Sequence, residues 1–281
     1  MKISIITVCY NSEATIERTI KSVLAQKNID LEYLIIDGAS KDGTLNIIKK
    51  YAEKNPFIHF VSENDRGIYD AMNKGISMAR GDIVGILNSD DYYASADSLS
   101  SIISVFEQNN VEMVFGNLLY VKNNKPYRYW KSGKPRTFKF GWMPPHPALF
   151  IKAEVYKTKG VFRLDCGINA DYELMLRFFE KEKLSSFWLD KIITCMEAGG
   201  TSNNGIKSRV ISCVNDSLAW EKNNLKYTKI TILLKKIRKL PQFIGAKINM
   251  KSLKENCMGG GKHKYSEIIV QHEPLIYWEV A

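Results

Sequence analysis

In its first ninety residues the chain passes four times from a short apolar run into a polar turn, with helix-period segments between, and few folds accommodate that rhythm. Ile3–Val8 is the first run, Leu31–Ile36 the second, Phe57–Val61 the third and Ile83–Leu87 the fourth. Ser12 is placed to cap a helix with Ile16, Ile20, Val23 and Leu24 on one face. Asp42-Gly43-Thr44 opens a second helix with Leu45, Ile48 and Ala52 inward. A third runs from Ile68 to Ala79, and Gly81 stops it. Regular strand–helix alternation predicts an α/β fold with a doubly wound, mostly parallel sheet flanked by helices.

The remaining chain is less regular. Val111–Val121 reads as a strand, Pro144–Ile151 as a Pro-rich loop into another, and Ala170–Phe179 as a helix. Tyr227–Met250 is basic and partly amphipathic: Ile230, Leu233, Leu234 and Ile237 share a face, with Lys229, Lys235, Lys236, Arg238 and Lys239 around it, and Pro241 interrupts the segment. Gly259-Gly260-Gly261 and the apolar, aromatic end to Ala281 read as a linker and an appended tail. The expected organisation is a catalytic domain over 1–205, a basic helical extension over 206–258, and the tail over 259–281.

Charge sharpens that division. Of the +10 net charge, all falls between Ile206 and Lys254, which hold 12 Lys/Arg against Asp216 and Glu221. A neutral body with a basic extension suggests an anionic surface as partner. Because the charge lies away from the strand ends, a nucleic-acid-binding module is disfavoured. Five scattered cysteines without a C-x-x-C pair argue against a zinc or disulfide framework and suit a reducing compartment. No stretch approaches the ~18 apolar residues of a membrane span, and the opening run is too short for a signal-peptide core. A cytoplasmic location is expected.

Ligands of open parallel sheets bind beyond the carboxyl ends of the strands. There stand Cys9-Tyr10-Asn11, the loop Asp37–Thr44, Ser62–Gly67, and Asn88-Ser89-Asp90-Asp91. The first turn has no glycine, so the dinucleotide fingerprint is absent, and no G-x-x-x-x-G-K-[ST] loop occurs. Carboxylates beside a diphosphate repel it unless a hard cation, Mg²⁺ or Mn²⁺, lies between them. Each feature alone has a plainer reading. Asp37-Gly38 is a strand-ending turn, residues 88–91 are an N-cap cluster for the next helix, Asp171 complements a helix dipole, and His146 is a packed loop residue. Their joint occurrence, in order and at strand ends, favours a site.

These residues resemble the family 2 glycosyltransferases. The likeness is carried by Ile3–Asn11 (ISIITVCYN), Glu32–Thr44 (EYLIIDGASKDGT), Asp65–Gly75 (DRGIYDAMNKG) and Gly81–Asp91 (GDIVGILNSDD). It continues more weakly through Pro145-His146-Pro147, Ala170–Glu173 and Gly199–Ser202. The resemblance implies a fold of the GT-A type, and the Asp65–Gly75 stretch looks like a subset that builds bacterial O-antigen and capsule repeat units. By position it puts Tyr10 against the nucleotide base and Asp37 at a uracil ring, implying a UDP-sugar. Asp65 and Arg66 would line the base or ribose pocket. Lys74 is a nucleotide-sugar-binding candidate that would assist the metal in stabilising the leaving UDP, with a solvated helix lysine as the plainer role. Asn88-Ser89-Asp90 falls on the D-x-D position, with Asn88 and Ser89 toward the nucleotide-sugar and Asp90 on the metal. Asn88 replaces the first Asp and adds no charge, so weaker metal affinity is expected. Asp171 falls where the family places its base, with Ala170 in place of the usual Glu.

The expected reaction is inverting transfer of a hexose or N-acetylhexosamine to a hydroxyl of a saccharide acceptor, lipid-linked by expectation, in surface polysaccharide synthesis, with Asp171 as base. His146, Trp142 and Trp130 are candidates for an acceptor pocket, with core packing as the plainer role for the tryptophans. Met196–Gly205 is a candidate lid. Lys229–Lys254 is a candidate contact with anionic lipid, giving a peripheral place on the inner face of the plasma membrane. Two rivals stand: a sugar-nucleotide nucleotidyltransferase, which typically opens with a glycine-rich basic loop absent here, and an inactive carbohydrate- or nucleotide-binding relative, kept open by Asn88 and Ala170.

Overall fold

The computed structural model describes residues 1–122, 125–197 and 205–238. A nine-stranded sheet forms their backbone, in the order β3-β2-β1-β4-β8-β6-β9-β5, with β7 paired to β6. The four expected strands, β1 (Lys2–Cys9), β2 (Asp30–Asp37), β3 (Ile58–Ser62) and β4 (Ile83–Ile86), lie side by side and parallel. Burial on both faces explains why β1, β2 and β4 read as near-continuous apolar runs, while the edge strand β3 is partly exposed. Along β1, Ile3 and Ile5 enter one core, with Ile16, Ile20 and Ile48. Ile6 and Val8 enter the other, with Ala71, Met72 and Ile76. Helices α1 (Ile16–Leu24) and α2 (Thr44–Ala52) thus cover one face and α3 (Ile68–Met78) the opposite face.

The second half makes the sheet mixed. Strand β8 (Leu149–Lys152) runs antiparallel to β4 and to β6 (Met113–Lys122), while β9 (Ser186–Glu197) runs parallel to β6 and antiparallel to the short β5 (Tyr92–Tyr93). Gly85 permits the β4–β8 junction, because Phe150 occupies the space that a side chain there would need. Strands β7 (Lys125–Trp130) and β9 carry no clear apolar run, and periodicity did not reveal them. The structure therefore keeps the parallel half of the expectation and adds an antiparallel one.

Two local expectations are corrected. Ser12 does not cap α1; Thr15 holds that position, and the Ser12 hydroxyl meets the Ser89 hydroxyl at 2.8 Å. Residues 88–91 do not start a helix, since β5 follows them and α4 (Ser98–Gln108) begins at Ser98 after Asp97.

The helix expected at Ala170–Phe179 is α6 (Ala170–Leu176), continued by a wider turn over Arg177–Lys181 and preceded by α5 (Ala153–Lys159). Helices α7 (Gly205–Lys222) and α8 (Lys229–Ile237) pack against this region, and Ala219, Trp220 and Ile232 share a core with β1, β4 and α6. Among the described residues no helix is long and apolar enough to cross a membrane. Most of the Lys229–Lys254 segment, the greater part of the candidate lid and the 259–281 tail lie outside the described residues.

Candidate functional site

The carboxyl ends of β1, β2 and β4 bring the first group of candidate residues together. Tyr10, the residue after β1, is 60% exposed. Gly38, the residue after β2, lies between Tyr10 and Asp65: a side-chain carbon on it would sit 3.2 Å from Asp65 Oδ2 and 3.4 Å from the Tyr10 ring. Any side chain at this position would crowd both residues. Lys74 of α3 closes one side, holding Asp65 at 2.5 Å and Glu63 at 2.8 Å and donating to the Asn64 carbonyl at 3.0 Å. These bonds raise its pKa, so it stays charged. Its partners are carboxylates of the 63–65 turn, which makes it a brace for Asp65.

Asp37 has no exposed surface. Its carboxylate accepts from the Ser40 hydroxyl at 2.5 Å, the Ser40 amide at 3.1 Å and the Ser62 hydroxyl at 2.6 Å. It fastens the loop after β2 to β3, and contact with a base requires Ser40 or Ser62 to swing aside. Arg66 is largely exposed and turns back to Asp70 at 2.9 Å, within one helical turn.

The loop after β4 is held from below by α1. Thr19 donates to the carbonyls of Ser89 at 2.9 Å and Asp91 at 2.7 Å, and Arg18 to the Asp90 carbonyl at 2.8 Å. Arg18 also pairs with Glu197 at 3.1 Å and stacks 4.7 Å above the Tyr92 ring. Asn88 donates to Asp91 Oδ2 at 3.3 Å. Buried oxygens remain: Asn88 Oδ1 and Asp91 Oδ1 have no partner among the described residues. Burial drives the Asp91 carboxyl well above the ordinary range, with the Asp90 charge adding to it. Burial likewise raises Asp90, which Glu197 reinforces and Arg18 opposes. Unpartnered buried oxygens on hard donors fit a divalent cation, whose charge would offset their desolvation. Among the described residues no three acidic, His or Cys side chains converge into a closed metal cluster. A cation here would therefore take only part of its shell from the protein, as in sites where substrate phosphates complete it.

Across the cleft, Asp171 stands in the first turn of α6. Its Oδ1 accepts from the Tyr69 hydroxyl at 3.1 Å and from the Tyr172 amide at 2.8 Å. Tyr69 also donates to the Ile168 carbonyl at 3.0 Å and packs 5.4 Å from Phe162, whose ring lies 5.5 Å from His146. Burial lowers the His146 pKa, against the pull of Asp171, so the imidazole is neutral at pH 7. Tyr120 of β6 lies within electrostatic reach of both Asp91 and Asp171.

Trp142 is a correction. It is 3% exposed, donates to the Ser132 carbonyl at 2.9 Å, and meets Phe115, Phe138 and Phe179 edge-on. It supports the α6 region from the core and leaves little surface toward the small cleft beside α8. Trp130 is half-buried with the Arg128 guanidinium 5.7 Å from its ring. Sequence reasoning missed Tyr69, Arg18, Tyr120 and Glu197. Only Tyr69 left a trace, inside the quoted Asp65–Gly75 stretch; the others reach the site by folding of distant segments.

An α/β body with acidic strand ends on a parallel half-sheet, faced by an acidic helix start from a mixed half-sheet, defines the GT-A class. The chain belongs to the family described as Glycosyl transferase family 2, whose profile matches residues 4–168. Among its relatives, a PGL/p-HBAD biosynthesis glycosyltransferase of Mycobacterium bovis is 28% identical over 205 residues, covering 71% of this chain and 78% of that protein. An uncharacterized glycosyltransferase of Mycobacterium tuberculosis is 32% identical over 187 residues, covering 62% and 68%. Among solved structures, Staphylococcus aureus TarS 1-349 in complex with UDP superposes with a TM-score of 0.59 at 17% identity, over 80% of this chain and 67% of that one. Mannosyltransferase PcManGT of Pyrobaculum calidifontis, in complex with GDP-Man and Mn²⁺, gives 0.59 at 18% identity, over 96% and 78%. At such identities the likeness to these structures concerns the fold.

Proposed function

We propose that this glycosyltransferase moves a hexose or N-acetylhexosamine, with inversion, from a UDP-sugar to a hydroxyl of a lipid-linked saccharide during surface polysaccharide synthesis. The observation that carries the reading is the pairing of the exposed Tyr10 ring, beside Gly38 and Asp65, with the Asn88–Asp91 loop on adjacent strand ends. The ring suits a planar base, and the loop beside it suits a diphosphate held through a cation. Nucleotide-sugar complexes of the structural neighbours agree: TarS with UDP-GlcNAc, and PcManGT with GDP-Man.

In this reading Tyr10 stacks on the base, Asp65 braced by Lys74 meets the base or ribose, and Asn88 and Ser89 hold the sugar nucleotide. Asp90 is the principal protein ligand to Mn²⁺ or Mg²⁺. When bound, the cation supplies positive charge where the leaving diphosphate gains negative charge. Asp171 takes the proton from the acceptor hydroxyl as its oxygen bonds to the anomeric carbon and the bond to the diphosphate oxygen breaks. The bonds from Tyr69 and from the Tyr172 amide both fall on Oδ1. In this reading Oδ2 receives the proton. His146, neutral and half-buried beside Phe162, contributes to the acceptor wall.

The test is a transfer assay pairing UDP-glucose, UDP-galactose and their N-acetyl forms with a lipid-diphosphate sugar acceptor and Mn²⁺. One donor should give a glycosylated lipid of inverted anomeric configuration. Product from a GDP-sugar alone, or retention of configuration, overturns the corresponding part of the proposal.

A further inference from the structure

Helix α8 turns its apolar stripe away from the protein. Ile230, Leu233 and Ile237, spaced i, i+3, i+7, are 65%, 54% and 46% exposed. Thr231, Ile232 and Lys235 face inward instead. An aliphatic stripe facing outward on a helix whose inner face spends a lysine on Asp216 reverses the usual amphipathic arrangement. The loop beneath α8 repeats the pattern. Phe140 is 65% exposed, and its carbonyl accepts from the Arg238 guanidinium at 3.4 Å. Gly141 abuts the backbone of Leu234 and Lys235, so loop and helix form one surface.

The surroundings are basic. Residues 131–140 hold Lys131, Lys134, Arg136 and Lys139 with no acid, and no Asp or Glu occurs between Glu221 and Glu255. Beside α8 a cleft is lined by Trp130, Lys131, Trp142, Lys235 and Arg238; Lys131 pairs there with Asp190 and Lys235 with Asp216, which leaves Arg238 with Arg136, Lys134 and Lys139 as the cations for a partner. Arg136 and Arg238 are near enough to repel each other. Exposed aliphatic side chains rimmed by cations are the chemistry of a helix lying in a lipid interface: the stripe enters the acyl boundary and the cations meet anionic headgroups.

We infer that the outer face of α8, with the Phe140 loop, docks on an anionic phospholipid bilayer. The inference goes beyond the proposed reaction and also deepens it. The Lys235 ammonium lies 3.4 Å above the Tyr172 ring, and Tyr172 follows Asp171. Docking through α8 thus brings the helix carrying the proposed base next to the membrane, where a lipid-linked acceptor would be presented.

The experiment is vesicle flotation of the full chain at about 0.15 M salt, with phosphatidylcholine alone or mixed with phosphatidylglycerol. Wild type is expected to float with the anionic vesicles and not with the neutral ones. Leu233→Asp/Ile237→Asp is expected to lower the bound fraction about tenfold with its melting temperature, elution volume and UDP binding unchanged. Arg136→Glu/Lys139→Glu is expected to weaken binding to anionic vesicles in the same way. Wild type that stays unbound overturns the inference, as does a Leu233→Asp/Ile237→Asp variant that floats like wild type. A lower melting temperature in that variant would assign the stripe to packing by the chain's own C-terminal segment, and a shifted elution volume to a second copy; either result overturns lipid docking. Because UDP binding is read separately, loss of flotation and failure of the transferase reading remain distinct.

Discussion

In the proposed reading Asp171 and Gly38 make opposite contributions at the residue scale: one supplies a reactive group, the other leaves the space beside Tyr10 and Asp65 free of a side chain. Asp171→Asn keeps the shape and the Tyr69 bond but cannot take a proton. It should lower kcat by roughly 10²–10⁴-fold in the transfer assay while leaving UDP affinity unchanged. Gly38→Val places carbon against Asp65 and Tyr10, where a glycine leaves 3.2 and 3.4 Å to the first added atom. UDP binding should weaken by about tenfold or more, roughly 1.4 kcal/mol, measured by titration calorimetry, with a native circular dichroism spectrum. The strand-end acids were legible because β1, β2 and β4 are buried on both faces and, like the edge strand β3, stop abruptly at polar residues. Their detailed state was not. Nothing in Asp37's neighbours along the chain announces that Ser40 and Ser62 enclose its carboxylate, or that Lys74 belongs to Asp65.

At the scale of elements, α6 is gripped by the helices that follow it. Asn169 donates to Asp216 at 2.6 Å, Lys235 meets the same carboxylate at 2.6 Å, Trp220 donates to the Tyr172 hydroxyl at 3.0 Å, and Asn223 donates to Glu173 at 3.0 Å. These bonds fix the start of α6 from one side while Tyr69 holds Asp171 from the other. Asp216→Ala would leave the Lys235 ammonium buried without its carboxylate. The expected cost is about 3–5 kcal/mol, read as a lower urea midpoint, whereas Asp216→Leu/Lys235→Met should recover most of it. The basic helical segment was legible from charge and spacing. The direction its apolar stripe faces was not, because only the fold reveals that Ile232 and Lys235 point inward. Strands β7 and β9 escaped for a related reason. Their interspersed charges, such as Lys125, Arg128, Asp190 and Lys191, sit on a sheet whose second half is less evenly covered than its first.

For the whole molecule, pH should act through His146. Burial depresses its folded-state pKa below the unfolded value of about 6.5. The stability it contributes is therefore complete above that value and is lost as pH falls through the folded pKa. Thermal melts between pH 7.5 and 5 should show wild type losing stability on acidification more steeply than His146→Asn, and equal slopes would refute this. The family profile ends at residue 168, whereas the fold continues through α6, β9 and the helices after them. In the proposed reading the parallel half carries the nucleotide site in contiguous motifs, and the acceptor half is assembled from β6, α3, α6 and the helices after them.

The central claim is that the strand-end cluster binds a nucleoside diphosphate through Asp90 and a divalent cation, separately from the base on α6. Titration calorimetry of UDP with Mn²⁺ tests it directly. Wild type should bind, Asp90→Ala should bind at least about tenfold more weakly, roughly 1.4 kcal/mol, and Asp171→Asn should match wild type. Asp90→Ala binding as tightly as wild type, or Asp171→Asn losing UDP, would contradict it.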